Sequence, residues 1–227
     1  MELLAVRLAR LIVFFPTDEL NPDGRRLLDN FLPAFIERYD FRKYPEKPDE
    51  FDEEKGVKFE LGRWQDSVIN QLILYNNGIL VDTMSSTDNA EAMLKDAMTW
   101  AAESFKLQYR PDMLSRKAYV SEVLFRSEVT LEALNPALKE LWERLSKYLS
   151  KREDNTLSVE PIGIVCGVDT LKIKIPPATF RVERLAETPF SEMKYYSQAP
   201  LPTDEHIKFL QDFEAALKSK KIGDKEQ

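Results

Sequence analysis

The stretch that most constrains the fold is LILYNNGILVDT, residues 72–83, in which two apolar runs flank Asn77 and Gly78. An Asn-Gly pair tolerates the positive φ angles of a type I′ turn, which joins two antiparallel strands directly. A two-residue loop also fixes the register, and this turn places Ile73 opposite Asp82. Because both faces of the hairpin are mainly apolar, we predict an interior hairpin covered on both sides. Asp82 is then an isolated carboxylate on an apolar face.

The remaining sequence alternates between strand and helix patterns in the order β-α-β-β-β-α-β-α-β-β-β-α. A dense β-branched and aromatic run in residues 3–15 predicts a central strand. Amphipathic periodicity predicts four helices, near residues 21–40, 88–107, 134–151 and 203–220. Consecutive strands with interspersed helices favour an α+β fold, with a mixed, largely antiparallel sheet, hairpins and about four helices packed on it.

The strongest change in composition is the polar stretch SKREDNTLS, residues 150–158. It predicts a main α+β domain over residues 1–150 and a strand-rich extension with a C-terminal helix over residues 151–227, packed together as one unit. Within the extension, we predict a strand over residues 171–175, where apolar residues alternate with lysines. Residues 186–202, AETPFSEMKYYSQAPLP, are predicted to form a linker.

Charge and cysteine content restrict the partners and the compartment. Acidic residues outnumber basic ones 39 to 32, and the net charge of −7 argues against a protein that mainly binds duplex nucleic acid. A single cysteine, Cys166, excludes an internal disulfide and a multi-cysteine zinc site, and its apolar neighbours predict a buried thiol. We therefore predict a cytoplasmic protein, with no membrane segment because no run of about 18 uncharged apolar residues occurs.

The only histidine, His206, limits the available catalytic mechanisms. It lies in PTDEHIKFLQDF at the start of the last helix, where we predict a solvated position without a catalytic role. The sequence contains no glycine-rich phosphate loop and no nucleophile-elbow motif. No catalytic, cofactor-binding or metal-binding residue is assigned on this basis.

The polar junction after the hairpin has two interpretations. Asp82 with Ser85, Ser86, Thr87 and Asp88 offers a carboxylate and hydroxyls at a helix start, which would suit a small-ligand sensor. The alternative is a helix cap, in which Asp88 or a neighbouring hydroxyl caps the helix and Glu91 completes a capping box. Every helix needs a cap, so the sequence favours the second interpretation.

Three further residues suggest a metal-dependent hydrolase or nuclease, namely Glu160, Asp169 and Lys172. Such enzymes place carboxylates and a lysine together on neighbouring strands. Asp169 and Lys172 are three residues apart, which points them to opposite faces of a regular strand. Alternating lysines on a solvated strand face account for Lys172 without catalysis.

The aromatic segment PFSEMKYYSQAPLP, residues 189–202, either docks on another protein or lies against its own sheet. Together with the missing catalytic motifs, it favours a non-catalytic accessory subunit or adaptor of a larger cytoplasmic multi-protein assembly. The predicted partner is a protein, most simply a larger subunit, and the sequence does not define an oligomeric state. The carboxylate-dependent hydrolase or nuclease and the small-ligand sensor are the alternatives.

Overall fold

The computed structural model describes residues 1–22, 28–153 and 155–223. Within these residues the chain forms an α+β fold of eight strands and four α-helices, in the predicted order. The strands are β1 (Glu2–Phe14), β2 (Val57–Trp64), β3 (Ser67–Tyr75), β4 (Gly78–Thr83), β5 (Lys117–Arg126), β6 (Gly163–Cys166), β7 (Phe180–Arg184) and β8 (Lys194–Ala199). The helices are α1 (Leu28–Arg38), α2 (Thr87–Phe105), α3 (Lys139–Glu153) and α4 (Thr203–Gly223). The first helix is predicted to start at Asn21, but Asn21 follows the 3-10 helix Thr17–Leu20 as its C-cap, and residues 23–27 lie outside the described chain.

All eight strands belong to one sheet with the order β2-β3-β4-β1-β5-β8-β7-β6. The seven strand pairings in the described residues are all antiparallel. The sheet is therefore antiparallel here, whereas the prediction of a mixed sheet also allowed parallel pairs of strands. β1 lies at the centre between β4 and β5, as its dense apolar sequence predicts. β2 and β6 form the two edges.

Three helices pack on one face of the sheet. Residues two apart along a strand share a face, so Ala9, Leu11 and Val13 of β1 define the covered side, and all three are fully buried. α1 and α2 pack over the half of the sheet around β1 to β4, with an aromatic cluster between them. α4 packs over β5, β7 and β8, where Val123, Val182 and Tyr195 are buried.

The hairpin lies inside the sheet, but its two faces are not equally covered: on the helix-covered face Leu72 and Val81 are fully buried, whereas Ile73 and Tyr75 on the other face are half-buried. Its predicted register is wrong. Asn76 and Asn77 form the turn, and Gly78 already pairs with Tyr75, so Leu80 rather than Asp82 lies opposite Ile73. The reason is the close approach of β1, since a Cβ at Gly78 would lie 2.2 Å from the carbonyl oxygen of Val13. Gly78 is therefore needed inside the strand rather than in the turn.

Two predictions for the second half of the chain are wrong: one strand is predicted where there is none, and another strand is missed. The number of strands is therefore still correct. No strand covers residues 171–175, where Thr170–Lys172 forms a short 3-10 helix and Leu171 is 96% exposed. The missing strand is β8, which lies inside the predicted linker 186–202 and is hydrogen-bonded to β5 and β7. Cys166 ends the edge strand β6 and is exposed, contrary to the predicted buried thiol.

Residues on both sides of the predicted boundary at 150 contribute to the same sheet. The boundary itself falls inside α3, and β8 joins the later strands to β5.

Among the described residues, no helix combines the length and the apolar character needed to cross a membrane.

Candidate protein-binding surface

Asp82 is part of an ion pair inside the sheet. It lies in β4 between Arg10 of β1 and Gln71 of β3 and is 2% exposed. Arg10 donates from Nε and a terminal nitrogen to the two carboxylate oxygens, each at 2.7 Å, and Gln71 donates to Oδ2 at 2.5 Å. The hydrogen bond to Asp82 raises the pKa of Arg10. The negative charge of Asp82 is thus balanced by the positive charge of Arg10. The carboxylate has a structural role and is not isolated, contrary to what the predicted register implied.

The hydroxyls that follow Asp82 serve the start of α2. Ser86 is the N-cap, and its side chain accepts from the backbone N–H of Asn89 at 3.1 Å. The cap interpretation is confirmed, but the predicted capping box is wrong because Glu91 pairs with Lys117 instead. Asp88 is exposed in the first turn of the helix.

Thr87 connects α2 to α4. Its backbone N–H donates to the hydroxyl of Thr203 at 3.1 Å, and the backbone N–H of Thr203 donates to the hydroxyl of Thr87 at 2.9 Å. Both threonines are buried. The first N–H groups of a helix have no acceptor within that helix. Here the threonine at the start of each helix supplies the acceptor for an N–H at the start of the other helix.

The residues proposed for a hydrolase or nuclease have structural partners. Glu160 accepts from Arg184 at 2.6 Å, and Asp169 caps the short helix at Thr170–Lys172 by accepting from the N–H of Leu171. Glu160 and Asp169 lie beyond opposite ends of β6, and the side chain of Lys172 is outside what the structure describes. In the described chain no group of three or more His, Cys, Asp or Glu side chains is arranged to hold a metal ion.

His206 is fully buried, contrary to the prediction of a solvated helix start. It lies in the first turns of α4 against β8, with Nε2 at 2.9 Å from Oγ of Ser197. Ser197 donates its only hydrogen to the carbonyl oxygen of Arg181, so Nε2–H of the histidine is the donor in this pair. Nδ1 has no hydrogen-bond partner within the described residues. Burial lowers the pKa of His206 from 6.5 to about 4, so the ring is neutral at pH 7.

Within the aromatic segment 189–202, Lys194–Ala199 form β8 of the sheet, whereas Phe190 before this strand is 36% exposed. Tyr195 is 1% exposed and stacks on Phe125 with ring centroids 5.5 Å apart. Tyr196 is half-buried beneath the guanidinium of Arg181. Of the two alternatives for this segment, the structure shows packing against its own sheet.

A regularly spaced set of exposed apolar residues lies instead on α3 and the short turn before it. None of the fifteen residues of this helix is buried. Apolar residues recur on one side at a spacing of three, four and three, and we call them the α3 stripe: Leu138, Leu141, Leu145 and Tyr148. Their exposed fractions run from 37% to 65%. The sequence predicts an apolar stripe of Leu138, Leu141, Trp142, Leu145 and Leu149; in the structure Tyr148 lies on the exposed side, and Trp142 and Leu149 do not belong to it.

Contacts with the rest of the chain use a different side of α3. The hydroxyl of Ser146 accepts from the N–H of Val159, and that of Ser150 accepts from the N–H of Leu157, at 2.9 and 2.8 Å. Trp142 and Leu149 are half-buried. The segment after the helix therefore runs along the serine side, and the α3 stripe faces away from it.

A second set of exposed apolar residues follows in sequence. It runs from the segment before β6 to the irregular stretch beyond it and comprises Ile162, Val165, Val168, Leu171, Ile173 and Ile175. Each is more than 40% exposed. Grouped exposed apolar side chains mark interaction surfaces more often than scattered ones do.

The charge around the α3 stripe differs from that of the whole chain. The helix contains five basic and three acidic residues, although the chain carries a net charge of −7. With Leu138, Leu141, Leu145 and Tyr148 at the a and d positions of a heptad, Arg144 and Lys151 take the g positions. Both are exposed, so they can pair with acidic groups beside the stripe.

No protein-family model matches this chain, and no curated protein matches it.

Proposed function

We propose that this chain is a non-catalytic accessory subunit that binds a helix of another protein along the α3 stripe. The observation that carries the proposal is a fifteen-residue amphipathic helix with no buried residue and a regular apolar stripe exposed to solvent. Burying such side chains in an interface recovers roughly 25 cal/mol for each Å² of apolar surface removed from water. We also propose that the assembly containing this subunit is cytoplasmic, and the single cysteine of the chain supports this.

The flanking charges specify the partner. In an antiparallel pair of two α3 helices, the g residues Arg144 and Lys151 of one copy would face the same residues of the other. In a parallel pair they would face the e positions, Trp142 and Leu149, which already lie half-buried against this chain. Neither self-pair supplies acidic groups. The occupant is therefore a helix of different sequence, with apolar a and d positions and acidic residues beside them.

Two synthetic helical peptides of three heptads test this. Both have Leu at a and d, and the e and g positions are all Glu in one and all Lys in the other. We expect saturable binding of the Glu peptide, measured by fluorescence anisotropy, at least about tenfold tighter than binding of the Lys peptide, which corresponds to about 1.4 kcal/mol. Binding should weaken with added salt.

Three variants distinguish binding at the α3 stripe from non-specific binding to other exposed apolar residues. Leu145→Glu should abolish binding of the Glu peptide, and the double variant Arg144→Glu with Lys151→Glu should reverse the preference between the peptides. Val68→Glu, which changes a residue of similar exposure on β3, should bind like the wild type. Equal affinity for both peptides, or no saturable binding of the Glu peptide up to about 1 mM, would overturn the proposal.

A further inference from the structure

An apolar cavity lies between α1, α2 and the sheet, far from the α3 stripe in sequence. It has a volume of about 180 Å³. Its walls are mainly apolar side chains from these three elements, including Phe31, Phe35, Leu72, Ile79, Leu94 and Met98. The space opens to solvent on one side, and no side chain of the described chain fills it.

Small residues on α2 create the space. Ala97 and Ala101, one turn apart, both line the cavity and are 6% and 4% exposed. The opposite wall is held by aromatic packing, since Phe31 stacks on Phe35 at 5.3 Å and meets Trp100 and Phe105 edge-on or tilted. Because Phe31 contacts three other aromatic rings, it cannot easily move into the space beside Ala97 and Ala101.

Four polar residues line the cavity, namely Thr17, Asn21, Glu53 and Tyr75, and two of them offer hydrogen-bond acceptors. Glu53 contributes an exposed carboxylate, which is an acceptor at neutral pH. The hydroxyl of Thr17 donates its hydrogen to the carbonyl oxygen of Tyr75 at 3.0 Å, which leaves its lone pairs to accept. A molecule that binds to Glu53 and Thr17 must therefore supply a donor.

We propose that the cavity binds a small apolar molecule of one or two rings that carries a single N–H or O–H donor at one end. A dry cavity of about 150 Å³ lined by Leu, Ile and Phe is enough to hold benzene, so about 180 Å³ accepts a slightly larger body. The apolar walls select the ring, and Glu53 with Thr17 selects the donor. This site is separate from the α3 stripe and does not depend on the proposed function.

Indole is a suitable probe because it joins an apolar bicyclic body to one N–H group. Benzofuran has the same shape, but an oxygen replaces that N–H. With methyl-¹³C methionine labelling, we expect indole to shift the Met98 methyl resonance saturably and to leave that of Met84, which is 50% exposed, unchanged. Benzofuran should bind at least about threefold more weakly, because the acceptors then lack a partner.

Neighbouring alanines on α2 provide a matched pair of variants. Ala101→Leu fills the cavity and should abolish the indole-induced shift, whereas Ala102→Leu, at a half-exposed position that does not line it, should retain the shift. If Ala101→Leu does not fold, Ala97→Val serves the same purpose. Glu53→Ala should remove the difference between indole and benzofuran.

Each outcome decides a part of the proposal. An unshifted Met98 resonance at saturating indole, or full binding to Ala101→Leu, would overturn the site. Equal affinity of indole and benzofuran for the wild-type protein would overturn the role of Glu53 and Thr17 as acceptors.

Discussion

α2 and α3 have similarly regular apolar stripes but opposite positions in the molecule. α2 lies on the sheet and buries seven residues, among them Met93 and Leu94. α3 buries none, and the chain contacts it through Ser146 and Ser150 while Leu141 and Leu145 stay exposed. Periodicity therefore identifies which side of a helix is apolar, but the partner that covers that side can come from the same chain or from another one.

The largest effect should come from removing a side chain that α2 buries. Met93 is fully buried in the core between α2 and the sheet. Met93→Ala should lower the free energy of unfolding by about 2–5 kcal/mol, because it loses buried apolar surface and leaves a void. Urea denaturation measures this. A loss below about 1 kcal/mol would show that the covered helix is packed no more tightly than α3.

The burial of His206 between α4 and β8 should make the free energy of unfolding depend on pH. Above pH 6.5 the ring is neutral in both the folded and the unfolded chain, so it contributes no pH dependence there. Between pH 6.5 and about 4 the unfolded chain binds a proton that the folded chain does not, and stability falls as the pH falls. At pH 5 the loss relative to pH 7.5 should be about 2 kcal/mol, at 1.36 kcal/mol for each pKa unit.

A His206→Gln variant provides the control for this pH dependence. It removes the titrating group but keeps a donor that can reach Ser197. The difference in unfolding free energy between pH 7.5 and pH 5 should shrink by most of the 2 kcal/mol. An unchanged difference would assign the pH dependence to other groups.

The reciprocal contact between Thr87 and Thr203 should contribute less and tests whether both halves of the chain unfold together. Thr87→Val and Thr203→Val each leave one buried backbone N–H without an acceptor, at a cost of about 1–3 kcal/mol. If residues 1–150 and 151–227 form one unit, each variant should shift a single thermal transition. A transition that splits in two would show separate domains.

The smallest effect should come from Leu141→Ala on the α3 stripe. Leu141 is 43% exposed and loses little buried surface, so the free energy of unfolding should change by less than about 0.5 kcal/mol. Denaturation of this variant beside Met93→Ala compares the two helices directly. A loss of 2 kcal/mol or more would mean that the chain itself covers the stripe.

Local pattern predicted the fold class and the order of elements. Strand and helix periodicities, together with the helix start near Ser86, depend on neighbouring residues and can be read without tertiary information. The helix predicted over residues 88–107 is α2, and the central strand predicted over residues 3–15 is β1.

The errors arise where distant residues decide the outcome. The register at Asp82 depends on Val13 passing close to Gly78, and the charge of Asp82 is matched by Arg10, seventy-two residues away. His206 is buried because β8 lies beside it, whereas the proline- and tyrosine-rich sequence around β8 predicts a linker. Exposure of the α3 stripe depends on the path of the chain beyond residue 153, which the helix sequence does not specify.

Leu141→Glu tests the central claim most directly, because one sample yields both stability and binding. The account predicts an unfolding free energy within about 0.5 kcal/mol of wild type, with saturable binding of the Glu heptad peptide lost. A variant that is as stable as wild type and still binds the peptide with unchanged affinity would contradict the assignment of the α3 stripe as a protein-binding surface. A variant that unfolds would contradict the exposure of the stripe.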